Sequence, residues 1–505
     1  MLIQKLKLLS IMKNIILLTT LFFSIAIYSQ DSRVPIDTTV ITSNTVTIKG
    51  KKVNYKAQTG TQPVFDANGK IKATLFYTYY YRTGIQNRKK RPLIMSFNGG
   101  PGSASVWMHI AYTGPKILNI DDEGNPIQPY GIKDNPYSVL DVADIVFVNP
   151  VNTAYSRPVV KENKKVDKKY FFGINADAKY LADWLTTFIT RTNRWQSPKY
   201  IIGESYGGTR VMQLAHELQS KQWMYLNGVI MVSPADYQLL RTKNSEDYAV
   251  NFPYFTAAAW YHNMLPKKLQ EQELLEILPE SEKFAINELL PAIAKGGYIS
   301  DTERQSIAKK MAYYSGIKEK VILQQNLEVP NSYFWKELLR NSSGKTIGRL
   351  DSRYLGIDRK LTGSSPDYSP ELTSWLHSFT PAINYYIQNI LKFKTDVKYN
   401  MFGSVHPWDF SNNNARENLR KAMAQNPYLK VLVQSGYYDG ATTYFAAKYT
   451  MGKIDPSGTF KNRLTFKGYR SGHMMYLRKV DLEKANDDLR EFIKQSSKNI
   501  GPAKY

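Results

Sequence analysis

The sequence predicts an α/β protein, in which a mixed, mostly parallel sheet is flanked by helices, and two observations support this fold class. Several short runs are almost wholly apolar, as in strands that are buried on both faces of a sheet. They lie at residues 93–97, 145–148, 200–202 and 228–232. Helical patterns at 176–191 and 209–219 follow two of these runs, so strand and helix alternate along the chain.

The first part of the fold is predicted to be antiparallel. Residues 38–75 contain β-type runs such as 45–48 and 70–75, and a turn-forming segment at 67–69 lies between strands. A β-meander therefore opens the sheet. The apolar strand at 145–148 follows the turn-forming pair Asn135 and Pro136.

The chain changes character in its middle. Residues 236–390 have helical segments such as 267–277 and 301–314 and few strand-like runs, which indicates an inserted helical cap. A strand at 430–434 and a helix at 480–495 then return to the first pattern. The predicted domains are the core in two parts, 31–235 and 391–505, and the cap, 236–390.

The N-terminus, residues 1–30, has the layout of a signal peptide. Lys5, Lys7 and Lys13 precede the apolar run 15–27. Because that run is shorter than the roughly 20 residues needed to span a bilayer, cleavage is expected rather than retention as an anchor. We therefore predict export, to the periplasm or out of the cell, with no stable membrane insertion after signal cleavage.

Composition excludes some classes of site and partner. The chain has no cysteine, so it has neither a disulfide framework nor a cysteine nucleophile. No ligand cluster appears, and we expect neither a metal nor a cofactor. The formal net charge is +24, but lysine and arginine are scattered and form no nucleic-acid motif, so we expect no nucleic-acid partner and an attraction to acidic substrates. The oligomeric state does not follow from the sequence.

The segment 203–207 reads G-x-S-x-G and lies between a predicted strand and a predicted helix that starts near Thr209. A serine in such a turn is lifted above the sheet, and the amide that follows it points at a reacting oxygen. The pentapeptide in this setting predicts the α/β-hydrolase fold with Ser205 as nucleophile.

A serine nucleophile needs a base and an acid, which in this fold follow it in the order acid, then histidine. His473 lies in a loop after the strand-like run 463–466, and Asp439 follows the strand 430–434. Each residue also has an ordinary interpretation, Asp439 as a turn residue and His473 as a loop residue. Their order and setting predict the triad of Ser205, Asp439 and His473.

A second oxyanion donor is predicted in the glycine-rich loop 98–103, which directly follows the strand 93–97. Its position matches the loop that lies beside the nucleophile in this fold. We expect the backbone amides of Gly100 and Tyr206 to form the oxyanion hole, each stabilising the transition state by roughly 3 kcal/mol.

Three motifs together resemble the serine carboxypeptidase family. They are the Asn-Gly-Gly-Pro-Gly loop at 98–102, the stretch 148–156, and the nucleophile motif at 203–207. The resemblance implies hydrolysis of peptides with a free C-terminus through an acyl-enzyme, and an acidic working pH. A bacterial-type member is expected.

In this family the substrate carboxylate is held by the loop asparagine, by the glutamate before the nucleophile, and by a second glutamate. Asn98 and Glu204 match the first two, which implies that they bind the carboxylate. Tyr112 stands where the second glutamate is expected, and losing one of two paired carboxyls changes their pH dependence. Arg210 also departs from the family, and we interpret it as a helix-surface residue in preference to a carboxylate partner.

The resemblance therefore predicts an exported serine carboxypeptidase. Two alternatives remain open, an esterase or acyltransferase with the same triad, and a catalytically silent binding protein that keeps the pocket. The side-chain preference does not follow from a motif, and we expect cap residues near Trp260 or Trp375 to line the pocket.

Overall fold

The computed structural model describes residues 34–160, 165–239 and 244–497. The predicted signal peptide, 1–30, lies outside these residues. The chain divides into two units, and every element below belongs to the larger one, which includes the described residues of 36–394 and 398–497. No helix of the described ranges is both long enough and apolar enough to cross a membrane.

The large sheet opens with three long antiparallel strands, β1 (Thr38–Ile48), β2 (Lys51–Phe65) and β3 (Ile71–Arg82). Exposed positions alternate with less exposed ones along β1, as in a strand with one face in solvent. The predicted β-meander is confirmed.

The rest of the sheet is mostly parallel. The remaining strands of the chain are, in order, β4 (Leu93–Phe97), β5 (Lys116–Leu118), β6 (Ile132–Asp134), β7 (Asp144–Val148), β8 (Arg157–Pro158), β9 (Lys199–Glu204), β10 (Gly228–Val232), β11 (Thr346–Ile347), β12 (Leu355–Gly356), β13 (Lys430–Gly436) and β14 (Leu464–Tyr469). Of these, β5 with β6 and β11 with β12 form two small separate sheets, and β8 pairs with β3. The strand order is β1-β2-β3-β7-β4-β9-β10-β13-β14, and every pair from β7 to β14 is parallel. β4, β7, β9 and β10 are buried throughout, as their apolar sequences predict.

The helices are, in chain order, α1 (Val106–Ala111), α2 (Lys168–Phe171), α3 (Ile174–Arg191), α4 (Tyr206–Lys221), α5 (Ser245–Tyr261), α6 (Lys267–Gln270), α7 (Leu274–Phe284), α8 (Leu290–Ala294), α9 (Asp301–Ser315), α10 (Glu319–Gln324), α11 (Asn331–Glu337), α12 (Pro370–Tyr385), α13 (Ala415–Gln425), α14 (Tyr444–Ile454) and α15 (Lys479–Ser496). Ile201 of β9 shares an apolar core with α3 and α4. Its neighbour Tyr200 bonds Ser496 of α15, with 2.9 Å between the two hydroxyl oxygens. Because successive strand residues point to opposite faces, helices cover both faces of the sheet, as in the α/β-hydrolase fold.

The segment between β10 and β13 is mainly helical, and α5 to α11 share an apolar core of their own. The single helix predicted at 267–277 is wrong, since α6 and α7 are separate and Glu273 between them is extended. Tertiary hydrogen bonds hold the break, because Trp260 Nε1 donates to the carbonyl oxygen of Gln272 over 3.0 Å. The boundaries of the predicted cap stay a prediction.

Candidate active site

The nucleophile turn joins β9 to α4. Ser205 is half-buried and has φ 61° and ψ −125°, and α4 begins at the next residue, Tyr206, not near Thr209 as predicted. A positive φ is rare for a residue with a side chain, and such strain is typical of this kind of turn. The turn is also tight, since a Cβ added to Gly203 would lie 2.0 Å from the carbonyl oxygen of Gly207.

The glycine-rich loop after β4 contacts this turn. A Cβ added to Gly99 would lie 2.5 Å from the amide nitrogen of Tyr206, so glycine is needed for this approach. Gly100 has φ +106°, which other residues rarely adopt. Gly100 and Tyr206, the residues predicted to form the oxyanion hole, therefore lie on adjoining segments, and their role stays a prediction.

The loops after β13 and β14 bring Asp439 and His473 together. His473 Nδ1 lies 2.7 Å from Asp439 Oδ2, and both residues are buried. Asp439 Oδ1 accepts hydrogen bonds from the amides of Ala441 and Thr442 at 2.9 and 3.0 Å. These bonds fix the carboxylate, and a fixed carboxylate orients an imidazole.

Electrostatics around His473 favour its protonated form. Burial lowers the pKa of the imidazole, but the adjacent Asp439 carboxylate and the charge of Glu204 outweigh burial, so the pKa lies above its ordinary value. Because Nδ1 faces Asp439, Nε2 is the nitrogen left to accept a proton from a hydroxyl group. This arrangement is the one that a general base requires.

Asn98 and Glu204 form a buried hydrogen-bonded pair. Asn98 Nδ2 donates to Glu204 Oε1 over 2.9 Å, and Asn98 Oδ1 accepts from the amide of Met108 at 3.2 Å. Burial raises the pKa of Glu204 to about 7, against the opposing effect of His473 and two hydrogen bonds. Glu204 is therefore protonated in acid, and a protonated carboxyl can donate to a carboxylate.

Tyr112, which stands where a second glutamate is expected, is buried and its hydroxyl donates to Gln434 Oε1 over 2.6 Å. Its ring stacks on that of Tyr476, with centroids 4.9 Å apart and planes 7° from parallel. The hydroxyl of Tyr476 donates to Glu204 Oε2. Burial raises the pKa of Tyr476 well above its usual range, so the donor to this oxygen of Glu204 is a phenol that stays protonated.

The interpretation of Arg210 as a helix-surface residue is wrong. Arg210 is 1% exposed, and its Nε lies 2.6 Å from Asp177 Oδ2 of α3. Its Nη1 donates to the carbonyl oxygen of Asn98. A guanidinium is tolerated in an interior when it is paired, and this pair holds the main chain of Asn98 beside the nucleophile turn.

Ser205, Glu204 and His473 line one cavity of about 480 Å³, a size typical of small-ligand sites. Its larger side chains are those of Trp107, Tyr237, Arg349, Leu350, Leu372, Phe402 and Met474. Leu372, three residues before Trp375 on α12, is among these lining residues, as expected for cap residues near Trp375, whereas Trp260 and Trp375 themselves are not among the described residues that line the cavity. Trp375 packs against Tyr354, with ring centroids 5.7 Å apart.

Three contributors to the site were not identified from the sequence. The hydroxyl of Thr442 lies 2.6 Å from Asp439 Oδ2 and 3.0 Å from His473 Nδ1. The amide of His473 donates to the carbonyl oxygen of Leu350 over 2.6 Å, and Tyr476 bonds Glu204. Thr442 follows Asp439 by three residues, and Tyr476 follows His473 by three residues. This proximity along the sequence was the signal that could have identified both side chains.

The family model of the serine carboxypeptidases matches residues 49–480, which is most of the chain. Serine carboxypeptidase-like 5 from Arabidopsis thaliana is 23% identical over 275 residues, 52% of this chain and 55% of that protein. Serine carboxypeptidase-like 31 from the same plant is 22% identical over 423 residues, 80% of this chain and 75% of that protein. This chain thus spans about half of the length of serine carboxypeptidase-like 5, and 36% of the length of serine carboxypeptidase-like 38 from the same plant.

Among solved structures, a prohormone-processing carboxypeptidase from Saccharomyces cerevisiae has a TM-score of 0.55 and 14% identity, covering 88% of this chain and 92% of that chain. At this identity the likeness shows the fold alone. The relatives named above are plant proteins and give no support to a bacterial-type member. On the family model, which extends from the second strand to the last helix, the chain belongs to the serine carboxypeptidase family.

Proposed function

We propose that this protein is an exported serine carboxypeptidase that removes C-terminal residues from peptides through an acyl-enzyme. The observation that carries the proposal is the placement of Ser205, His473 and the carboxyl of Glu204 on one cavity. Such a site joins a nucleophile and base to a group that can read a free C-terminus. Family membership supports the same activity.

In the proposed mechanism, Ser205 Oγ attacks the scissile carbonyl carbon while His473 Nε2 takes the hydroxyl proton. The amides of Gly100 and Tyr206 hold the oxyanion. The C–N bond breaks as His473 returns the proton to the leaving amine, which departs as the C-terminal residue. A water molecule then attacks the acyl-enzyme, gives its proton to His473 and releases the shortened peptide and the serine hydroxyl.

Asn98 and Glu204 are proposed to bind the terminal carboxylate. Protonated Glu204 gives that carboxylate a hydrogen bond, whereas ionised Glu204 repels it. The pKa of about 7 for Glu204 supports binding in acid and neutral solution. The Arg210 contact with Asn98 keeps this group in place beside Ser205.

The remaining parts of the proposal concern the setting of the site. Residues 1–30 direct export to the periplasm or out of the cell, and residues 236–390 act as a cap over the cavity. The partners are peptides with a free C-terminus, without nucleic acid and without stable membrane insertion.

The test is hydrolysis of a blocked dipeptide with a free C-terminus beside its C-terminal amide, from acid to neutral pH. We expect the free acid to be preferred and activity to be lost in Ser205→Ala. Equal cleavage of acid and amide, or cleavage of neither, would contradict the proposal. Activity on an ester alone would then indicate an esterase, and failure of folded protein to react with a fluorophosphonate would indicate a binding protein.

A further inference from the structure

Arg349 is a charged residue of the cavity that the proposed mechanism does not use. It is exposed and lies on the cavity wall with Ser205 and His473. Among the described residues that line the cavity it is the sole lysine or arginine. Within the described ranges its side chain has no hydrogen bond and no ion pair, so its guanidinium is available to a ligand.

The backbone around Arg349 is fixed relative to the proposed triad. The carbonyl oxygen of Arg349 accepts from the amide of Gly440, next to Asp439, at 3.0 Å. The carbonyl oxygen of Leu350 accepts from the amide of His473 at 2.6 Å. The anchored backbone keeps the Cα atom of Arg349 near the reacting groups, so that only its side chain has to be ordered when a ligand binds.

Two acids of the protein, Asp351 and Glu371, lie near Arg349, and each forms its hydrogen bonds or ion pairs with other groups. Asp351 Oδ2 pairs with Arg353 Nη2 at 2.7 Å, and Glu371 Oε1 accepts from the amide of Leu350 at 2.9 Å. Burial raises the pKa of Glu371 to about 7, and the nearby charge of Arg349 acts against this rise. Within the described residues, neither carboxyl forms an ion pair with the Arg349 guanidinium, which leaves it able to bind a carboxylate of a ligand.

We propose that Arg349 binds a carboxylate carried by a substrate side chain next to the scissile bond, so that the cavity selects acidic residues. This inference rests on the proposed function, in which Asn98 and Glu204 take the terminal carboxylate. Those two residues lie at the ends of β4 and β9, whereas Arg349 belongs to the segment that is bonded to the Asp439 and His473 loops. Apolar walls formed by Trp107 and Leu372 suit the aliphatic stem of an acidic side chain, and the guanidinium suits its bidentate end.

The experiment compares blocked free-acid dipeptides that differ only in glutamate or glutamine, placed before the scissile bond in one pair and after it in another. These side chains have the same shape and differ in charge. We expect kcat/KM of the wild-type protein to favour glutamate by about 10- to 100-fold in at least one pair, as for hydrogen bonds to charged groups. Arg349→Met should bring that ratio to about one, and Arg349→Lys should keep part of it.

The matched control is Arg359→Met, which removes an exposed arginine that does not line the cavity, and should keep the wild-type ratio. The same dipeptides are also measured as C-terminal amides. If Arg349→Met lowers kcat/KM equally for glutamate and glutamine free acids but leaves the amides unchanged, Arg349 binds the terminal carboxylate and the proposal is overturned. An unchanged ratio, or an equal fall on every substrate, would also overturn it.

Failure of the proposed function can be distinguished from failure of this inference. If the wild-type protein cleaves no peptide, the same comparison is made with p-nitrophenyl esters of blocked glutamate and glutamine. Labelling by a fluorophosphonate shows that each variant keeps a reactive Ser205. A preference for the glutamate ester that Arg349→Met abolishes would support the acidic subsite, and equal rates would overturn it.

Discussion

Tyr476 stacks face to face on Tyr112, and its hydroxyl holds Glu204 Oε2. Two paired carboxyls share a proton and titrate together. A buried phenol, by contrast, keeps its proton over the whole range in which Glu204 ionises. If Glu204 binds the substrate carboxylate as proposed, the pH response of that binding therefore depends on the single carboxyl of Glu204.

We expect kcat/KM for free-acid dipeptides to fall by about tenfold per pH unit above the pKa of Glu204, because the ionised carboxyl repels the substrate carboxylate. Burial places that pKa at about 7. Glu204→Gln, which is neutral at every pH, should lack this fall, as should a neutral ester with the wild-type protein. Profiles measured from acid to alkaline pH check this, and the same fall in Glu204→Gln would assign it to another group.

Tyr476→Phe should move this alkaline limit to higher pH, by up to about one unit. The hydrogen bond from Tyr476 favours the ionised form of Glu204, so its loss raises the pKa of that carboxyl further. Tyr112→Phe is the matched control, because it keeps the stacked rings and removes a hydroxyl that bonds Gln434. The measurement is KM for a free-acid dipeptide against pH, and an equal shift in both variants would show a general effect of packing.

Asp439→Asn should lower kcat by about 10⁴-fold, because the amide no longer stabilises the correct form of His473. Thr442→Val removes a hydroxyl 2.6 Å from Asp439 Oδ2 and should cost about tenfold. Hydrolysis of a p-nitrophenyl ester measures both, with thermal unfolding to check that the variants fold. Full activity of Asp439→Asn would remove Asp439 from the triad.

Arg210→Met should destabilise the fold by about 3–5 kcal/mol, since it leaves the buried Asp177 carboxylate without its partner. The control is Arg420→Met, which breaks an exposed pair with Glu417 and should cost less than about 1 kcal/mol. Urea unfolding measures the difference. If Arg210→Met does not fold, adding Asp177→Asn should restore folding, and no recovery would show that the loss has another cause.

The sequence predicted those features that local pattern controls. Buried strands are apolar over consecutive residues, and the segments that carry Ser205 and Asp439 follow such strands, so their places could be derived. His473 follows β14, which is only partly buried, and was placed by its order after Asp439. The contacts that tune the site join distant residues. Tyr476 and Glu204 are 272 positions apart, and no periodicity encodes their hydrogen bond.

The wrong interpretation of Arg210 has a related cause. On sequence grounds an arginine in a helix is expected to be exposed, and its burial depends on Asp177, 33 positions earlier on α3. Arg349 lies in no motif, and its significance follows only from the cavity that it faces. Lining residues such as Phe402 and Leu372 come from separate segments, which explains why the sequence located only the neighbourhood of Trp375 and not the whole lining.

The hydrogen bond from the amide of His473 to the carbonyl oxygen of Leu350 makes the segment between β10 and β13 part of the framework that supports the proposed base. A smaller protein made by excising this segment would lose the acceptor for that amide together with the wall of the cavity. Both bonds to the loops of Asp439 and His473 are made by backbone groups, so a change of the Arg349 side chain leaves them in place, whereas a change in the path of the segment removes them. Arg349, which is proposed to set selectivity, and Leu350, whose carbonyl oxygen bonds His473, are thus neighbours on one short segment.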